Sequence, residues 1–260
     1  MRLRLSAILA VFALAAATAL TACGGSDEPA AYVAIGDSYS SGVGAERYTK
    51  ESGACLRSTQ SYVHQLDRKP AAFRACAGAT TGGVQDLQLK PFPANTDLVT
   101  ITVGGNDAGF LAVIATCLLR KAPSCEKRID AAERYARDEL PGRLRRTFDA
   151  IRRRAPEATV VVPGYPRLVA QGPWCGSFGN VDAREQRAIN AASDLLAKIV
   201  GAEVKKHEGF RFVDVRETFD GHEACSDDPW INASTNPGIY SFHPNVTGYS
   251  AYARAIKRAL

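Results

Sequence analysis

The 260-residue sequence has none of the cysteine and histidine spacings that hold zinc, and it has only four histidines. It contains no internal repeat, no low-complexity segment, and no long apolar insertion that could act as a lid. Its formal net charge at pH 7 is only +5, so neither a nucleic acid nor another polyanion is an expected partner. With 46% hydrophobic and 23% charged residues, the composition is that of one ordinary globular domain.

The N-terminus departs from this globular pattern. Arg2 and Arg4 make it positive, and an alanine-rich apolar stretch then runs from Leu5 to Leu20. A positive start followed by a short apolar run is typical of a secretory signal peptide. The stretch ends in Leu-Thr-Ala and then Cys23, a quartet that resembles the lipobox of bacterial lipoproteins. In that motif the cysteine is lipidated and becomes the mature N-terminus.

The lipobox sets the predicted division of the chain. We expect a lipoprotein signal peptide over residues 1–22, a flexible tether over 23–30 and one folded domain over 31–260. Lipid on Cys23 would hold the exported protein at the outer face of the cytoplasmic membrane or in the cell envelope. The alternatives are release outside the cell and an ordinary signal cleavage near the alanines that removes Cys23.

Six cysteines remain when Cys23 is set aside. They are Cys55, Cys76, Cys117, Cys125, Cys175 and Cys225. An even number of cysteines in an exported protein indicates three disulfides, although spacing alone does not choose among the possible pairings. Buried free thiols are the alternative.

Short apolar runs alternate with longer amphipathic stretches. Strands are predicted at Tyr32–Ile35, Phe73–Cys76, Leu98–Val103, Thr159–Val162 and Phe210–Val213. Helices are predicted over Ala131–Arg154, Val181–His207 and Val246–Leu260, the first interrupted near Pro141. Strands that alternate with helices indicate an α/β fold, with a mainly parallel sheet and helices on both faces.

Three polar segments lie where such a sheet binds ligands, beyond the carboxyl ends of its strands. Ser38 is in GDSYSSG after the first strand, and Asn106 is in VGGNDAGF after the third. His243 is in YSFHPNVTGY, just before the last helix. A serine, an amide and an imidazole so placed could supply a nucleophile, an oxyanion donor and a general base. For the serine segment alone, a polar loop with a serine helix cap is the alternative.

Four segments together resemble the sequence blocks of the SGNH, or GDSL, hydrolase family. They are AIGDSYSSGVGA, ACAGATT, ITVGGNDAGF and FHPNVTGY, in that order across residues 32–249. The similarity is greatest to the secreted actinobacterial lipases and esterases of the family. It implies a flavodoxin-like three-layer α/β/α sandwich with a central parallel sheet of about five strands. It also implies hydrolysis of carboxylic esters without a metal or organic cofactor.

The resemblance further implies residue roles. Ser38 would be the nucleophile and His243 the base, while the oxyanion would be bound by the Ser38 amide, the Gly78 amide and Asn106. The cysteines would pair in sequence order, as Cys55–Cys76, Cys117–Cys125 and Cys175–Cys225. Asp37 and Asp107 would brace their turns and take no part in the chemistry.

One position departs from the family pattern. Many members carry an aspartate three residues before the histidine, where this chain has Tyr240. A phenol is not ionised at neutral pH and cannot replace a carboxylate. Either Asp227 or Asp228 reaches the ring of His243, or a main-chain carbonyl accepts the Nδ1 proton. We expect the carbonyl of Tyr240 to do so, which gives a dyad with a backbone orienter.

The remaining candidates have more ordinary interpretations. His64, His207 and His222 are expected to be structural, with a role of His222 as a base or metal ligand as the alternative. The basic run Arg143–Glu157 is expected to be the solvated face of a helix, with a role against anionic lipid as the alternative. Aromatic residues of the long loops could line an acyl pocket or simply pack those loops; they are Trp174, Trp230, Tyr240 and Phe242.

The function that these observations favour is that of a surface-anchored, monomeric esterase or lipase acting on acyl esters or lipids. A carbohydrate O-deacetylase of the same fold is the first alternative. The second is a binding lipoprotein without catalytic activity, against which the intact Ser38, Asn106 and His243 argue.

Overall fold

The structure is a computed structural model that describes residues 30–120, 123–235 and 238–260. The predicted signal peptide, Cys23 and nearly all of the predicted tether lie outside the described residues. In the described ranges, no helix is both long and apolar enough to cross a membrane.

Five parallel strands form one sheet in the order β2-β1-β3-β4-β5 within the described chain. They are β1 (Ala31–Gly36), β2 (Ala72–Phe73), β3 (Thr96–Thr102), β4 (Thr159–Pro163) and β5 (Phe210–Val213). All five predicted strands are therefore present, with ends that shift by a few residues. β2 is shorter than expected, although Cys76 still donates its amide to the Gly36 carbonyl at 3.0 Å.

Nine α-helices flank this sheet in the part of the chain that the structure describes. They are α1 (Ser38–Ser41), α2 (Tyr62–Gln65), α3 (Thr81–Gly83), α4 (Phe110–Leu119), α5 (Ser124–Asp138), α6 (Leu140–Arg154), α7 (Ala183–Val204), α8 (Arg216–Phe219) and α9 (Val246–Ala259). The predicted helix Ala131–Arg154 is two helices that meet at Glu139, because Pro141 stands at the start of α6. The predicted Val181–His207 helix begins after Asp182, whose side chain caps the amides of Arg184 and Glu185.

The sheet is buried on both faces, as the nearly continuous Val, Ile and Thr of its strands predict. Alternate residues of β1 enter opposite cores: Tyr32 and Ala34 enter one, and Val33 and Ile35 enter the other. Helix α9 covers the first core and α6 covers the second. Each large apolar side chain buried there contributes roughly 1.5–3 kcal/mol to folding. The arrangement confirms the expected three-layer α/β class.

The pairing of β1 with β3 fixes where the site lies. Gly36 is level with Thr102, the last residue of β3. The chain therefore leaves both strands at one edge of the sheet, and the turns that begin at Asp37 and Val103 are neighbours. The Asp37 amide donates to the Thr102 carbonyl at 3.0 Å, which joins the two turns directly.

Three disulfides fasten the loops around this frame. They are Cys55–Cys76, Cys117–Cys125 and Cys175–Cys225. This is the pairing that the family resemblance implies. The first pins the segment after α1 to the chain after β2, and the second joins α4 to α5. A native disulfide of a small exported domain typically contributes roughly 2–5 kcal/mol.

Candidate active site

The turn that carries Ser38 is shaped by its neighbours. Gly36 has φ +122°, and a Cβ there would lie 2.5 Å from the Thr102 carbonyl oxygen, so a larger residue does not fit. Asp37 then caps α1 by accepting the Tyr39 amide at 3.0 Å. Ser38 is consequently held as the first residue of a tight helical turn, with only 8% of its surface exposed.

His243 meets this serine across the site. Its Nε2 lies 2.8 Å from the Ser38 Oγ, and the residue is 6% exposed. The preceding residue, Phe242, has a positive φ of 59°, a backbone conformation that residues other than glycine rarely adopt. The Tyr39 hydroxyl donates to the Phe242 carbonyl at 2.6 Å and so holds this turn from α1.

The orientation of the imidazole comes from the main chain. Its Nδ1 lies 3.1 Å from the Ser241 carbonyl oxygen, so the Nδ1 proton is donated there and Nε2 is left to accept. The Tyr240 carbonyl, which the sequence singled out, accepts the His243 amide at 3.2 Å. The hydrogen bond of the ring is therefore to the Ser241 carbonyl, while the expected Tyr240 carbonyl also favours the charged form of the ring.

Neither Asp227 nor Asp228 forms a hydrogen bond or ion pair with His243. Asp228 contacts Trp230 Nε1 at 3.2 Å and His222 Nδ1 at 3.2 Å. Asp227 is exposed. Among the described residues, no carboxylate forms a hydrogen bond or ion pair with His243, so a main-chain carbonyl is the orienting group that the ring contacts.

Burial lowers the pKa of His243 from 6.5 to about 4, although the Ser241 and Tyr240 carbonyls partly oppose this by favouring the charged ring. The imidazole is therefore neutral at pH 7. A neutral ring whose Nδ1 is protonated presents a lone pair on Nε2 to the Ser38 hydroxyl, which is what a general base requires.

The proposed oxyanion donors are the amides of Ser38, Gly78 and Asn106. Asn106 lines the same cavity as Ser38, and its Nδ2 donates to the Ala79 carbonyl at 3.0 Å. Gly78, which precedes Ala79 in the chain, has a positive φ of 78°. Within the described chain, neither the Ser38 amide nor the Gly78 amide has a hydrogen-bond acceptor. Among the described residues, the two backbone amides are thus unpaired, and Asn106 Nδ2 has a second proton that no acceptor takes.

Asp37 and Asp107, the acidic residues of the site motifs, accept hydrogen bonds from their own or neighbouring turns. The Asp37 carboxylate accepts from Tyr39, from Thr102 Oγ1 at 2.6 Å and from the Tyr165 hydroxyl. Burial raises its pKa to about 6. Asp107 accepts the Thr81 amide at 2.8 Å and the Thr81 hydroxyl at 2.6 Å.

An apolar cavity opens from Ser38 and Asn106 and enters the space between α4, α5 and α7. It encloses about 740 Å³ of empty space, part of which is open to solvent. Its lining includes Phe110, Val113, Ala132, Ala136, Ile189 and Leu196. The sequence does not predict the cavity, because it forms where α7 meets the consecutive helices α4 and α5 from a distant part of the chain.

The loop aromatics that could have lined such a pocket lie elsewhere. The indole of Trp174 stacks on Phe242, and that of Trp230 stacks on His222 with ring centroids 3.5 Å apart. Tyr240 packs beside Tyr48. None of these residues borders the cavity, so packing of the loops is their role in the structure.

The other histidines stay away from Ser38. His64 packs edge-on against Phe73, and His207 contacts the Glu203 carbonyl and Asp149. His222 stacks on its indole partner. Within the described chain, no cluster of His, Cys, Asp and Glu side chains could hold a metal ion.

Comparison with known proteins gives a consistent answer. The profile of the GDSL-like lipase/acylhydrolase family matches residues 34–251. The chain is similar to Lipase 1 of Streptomyces coelicolor, with 44% identity over 259 residues that cover 96% of this chain and 95% of that protein.

Two solved structures agree. The extracellular lipase of Streptomyces rimosus has 43% identity and a TM-score of 0.83, covering 89% of this chain and 100% of that one. The phospholipase A1 of Streptomyces albidoflavus has 39% identity and a TM-score of 0.82, covering 89% of this chain and 99% of that one.

Proposed function

Since the chain belongs to the GDSL-like lipase/acylhydrolase family and is a carboxylic ester hydrolase, we propose that Ser38 is its nucleophile and His243 its general base. The observation that carries this proposal is the 2.8 Å contact between Ser38 Oγ and His243 Nε2. Both residues are largely buried, so water competes little for the hydroxyl proton.

The first half of the reaction forms an acyl-enzyme. His243 Nε2 takes the hydroxyl proton as Ser38 Oγ attacks the ester carbonyl. The carbonyl π electrons move to oxygen and give a tetrahedral oxyanion. His243 then protonates the departing alcohol, and the acyl group stays on Ser38.

The oxyanion would be bound by three donors: the Ser38 amide, the Gly78 amide and the Asn106 side chain. The two backbone amides have no acceptor within the described chain, and Asn106 Nδ2 is already fixed by the Ala79 carbonyl at 3.0 Å. Donors fixed before the charge develops stabilise it without reorganisation.

The second half releases the acyl group. Neutral His243 takes a proton from water, and the resulting hydroxide adds to the acyl carbonyl. The collapse of this second tetrahedral species returns the proton to Ser38 Oγ. The Ser241 and Tyr240 carbonyls oppose part of the cost of charging the buried ring at each step.

The cavity supports an acyl chain as the part of the substrate that is bound. It begins beside Ser38 and is lined mainly by apolar side chains of α4, α5 and α7, so each buried methylene favours binding by about 0.8 kcal/mol. An acetyl group has no methylene to place against this apolar lining. We therefore favour lipid esters, phospholipids included, over the acetyl groups of carbohydrates.

A panel of substrates tests this choice. Nitrophenyl esters of increasing chain length, acetylated xylan and phospholipid vesicles are compared with one enzyme preparation. The account predicts that kcat/KM rises from acetate to medium or long chains. Preference for acetylated xylan would instead identify a carbohydrate deacetylase, and no turnover of any substrate would identify a binding protein.

A variant of the cavity makes the panel sharper. Ala132→Phe places a ring in the cavity and should lower the long-chain to acetate ratio of kcat/KM at least roughly tenfold. Arg134→Phe adds the same ring on the exposed side of α5 and serves as the matched control. Equal ratios in the two variants would mean that the acyl chain binds elsewhere.

The similarity to an extracellular lipase supports export of this chain. Lipid on Cys23, attachment to the cell envelope and a monomeric state are further parts of the proposal, the first resting on the Leu-Thr-Ala-Cys quartet. Intact mass of the native protein tests the anchor: a mature N-terminus beyond Cys23 would refute it. Sedimentation of the folded domain tests the monomer.

A further inference from the structure

Tyr165 follows β4 and joins the two turns that carry Ser38 and Asn106. Its hydroxyl donates to the Asp37 carboxylate and accepts the Gly105 amide at 3.3 Å. Asp37 immediately precedes Ser38, and Gly105 immediately precedes Asn106. One buried phenol oxygen therefore bridges the residues next to the proposed nucleophile and next to a proposed oxyanion donor.

The ring of Tyr165 is fitted as closely as its hydroxyl. A Cβ added to Gly105 would lie 3.3 Å from Tyr165 Cζ, so the phenol lies directly against the glycine backbone. On its other side the ring meets Tyr39 edge-on, with centroids 5.0 Å apart. Because Tyr39 also holds the carbonyl before His243, Tyr165 lies next to the residues that fix all three functional groups.

The Tyr165 hydroxyl forms hydrogen bonds with Asp37 and with Gly105. Its proton is donated to Asp37 and a lone pair is used by Gly105. Tyr165 borders the cavity beside Ser38 and Asn106, yet it forms no hydrogen bond with Ser38 or His243 in the described structure. This geometry suits a group that holds the reacting residues, without itself exchanging a proton with substrate.

The Asp37 carboxylate makes the bridge important. It is buried, and no cation pairs with it among the described residues. Its negative charge is stabilised by hydrogen bonds from the Thr102 hydroxyl, the Tyr39 amide and the Tyr165 hydroxyl. Loss of the phenol oxygen leaves the carboxylate one donor short and leaves the Gly105 amide without its acceptor, and both buried groups then favour a shift of the turns.

We propose that Tyr165 is a positioning residue that fixes the separation between the Ser38 amide and the Asn106 side chain. These donors stand on turns that follow β1 and β3, and the phenol is attached to a third strand that fastens both. The inference rests on the proposed oxyanion roles. It adds that the geometry of the oxyanion site depends on a hydroxyl that exchanges no proton with substrate.

The test substitutes Tyr165→Phe in the full chain and measures a short-chain nitrophenyl ester. We expect kcat to fall roughly 10- to 100-fold, because displacements near 1 Å can cost that much, while KM stays within about threefold. Fluorophosphonate labelling of Ser38 should slow in parallel, since its P=O oxygen uses the same donors. An unchanged kcat in the folded variant overturns the proposal.

Tyr252→Phe is the matched control. Tyr252 is a buried tyrosine whose hydroxyl donates at 2.8 Å to the carbonyl of Gly164, the residue before Tyr165, and it forms no hydrogen bond with either turn. Its ring meets Tyr39 edge-on with centroids 6.2 Å apart, a contact that phenylalanine keeps. The control variant should lose stability on the scale of Tyr165→Phe but keep kcat within about twofold. A matching fall in kcat in both variants would identify a general effect of core damage and would overturn the proposal.

A double-mutant cycle separates positioning from other roles. In an Asn106→Ala background, Tyr165→Phe should lower kcat by less than threefold, because the donor that it positions is absent. Full additivity of the two losses overturns the inference. Failure of the proposed function looks different: Ser38→Ala would then retain activity, whatever the result at Tyr165.

Discussion

The two segments that bring the dyad together hold their side chains by different means. Ser38 follows a buried carboxylate, that of Asp37, which accepts bonds from two hydroxyls and one amide. His243 is instead oriented by main-chain carbonyls, with Nδ1 3.1 Å from that of Ser241. Substitutions in the serine turn should therefore have large effects, whereas side-chain substitutions within the histidine loop should leave the orientation of the ring almost unchanged.

The largest expected effect is at the serine turn itself. Ser38→Ala removes the nucleophile and should lower kcat at least about 10⁴-fold. The fold should survive, because the side-chain contact given up is the one to His243. Circular dichroism and ester hydrolysis check both halves, and a fluorophosphonate should label Ser38 in the unaltered enzyme. Label on Ser40 or Ser41 would reassign the nucleophile.

The second effect is on the oxyanion side. Asn106→Ala removes one of three proposed donors and should lower kcat by about 10²–10³ while KM moves little. Steady-state kinetics with a soluble ester measures both constants. A change confined to KM would mean that Asn106 binds the ground state and transition state equally.

The next substitution cuts the side-chain link between the two segments. Tyr39→Phe removes the hydroxyl that donates to the Phe242 carbonyl at 2.6 Å, so the turn before His243 loses its fixed partner. We expect kcat to fall roughly tenfold, in keeping with one unpaired buried acceptor. Unaltered kinetics would show that the histidine loop holds its own shape without α1.

The pH profile of kcat/KM reports on the protonation of His243. Because the base must be neutral and its pKa is lowered to about 4, kcat/KM should be level above that value and halve near pH 4. A limb near pH 6 that disappears in Asp37→Asn would belong to Asp37, whose pKa is about 6. A limb near 6.5 in both enzymes would contradict the burial of His243.

The smallest effect belongs to the histidine loop. Tyr240→Phe and Ser241→Ala keep their carbonyls, so kcat should stay within several-fold of the parent enzyme. Steady-state kinetics of the two variants is the measurement. A large loss in Tyr240→Phe, with the protein folded, would assign the phenol a direct part in orienting the ring.

Much of the frame could be predicted because it depends on local pattern. The parallel strands β3 and β4 are buried on both faces and read as nearly continuous Val, Ile and Thr. Helix α4 was missed, because FLAVIATCLL is apolar on every face and even exposes Leu111 and Leu119. Such a run has no helical periodicity to detect.

The site itself was predictable in its residue types but not in its supports. The contact between Ser38 and His243 could be predicted, because Ser38 follows β1 and His243 lies just before α9. The hydrogen bond from His243 Nδ1 to the Ser241 carbonyl was not predicted, and the positive φ of Phe242 has no sequence signal because the residue is not a glycine. Tyr165 had one signal: it follows a buried strand at the edge where the site lies.

Replacement of Asp227 and Asp228, the acids nearest to His243 in sequence, tests most directly whether His243 works without a carboxylate. Asp227→Asn and Asp228→Asn are made singly and together, and kcat is measured on a soluble ester with the fold verified. The account predicts kcat within several-fold of the parent enzyme in all three, since a main-chain carbonyl holds Nδ1 at 3.1 Å. A loss of about 10⁴ in kcat, the scale seen when a triad acid becomes an amide, would contradict the dyad and identify the acid.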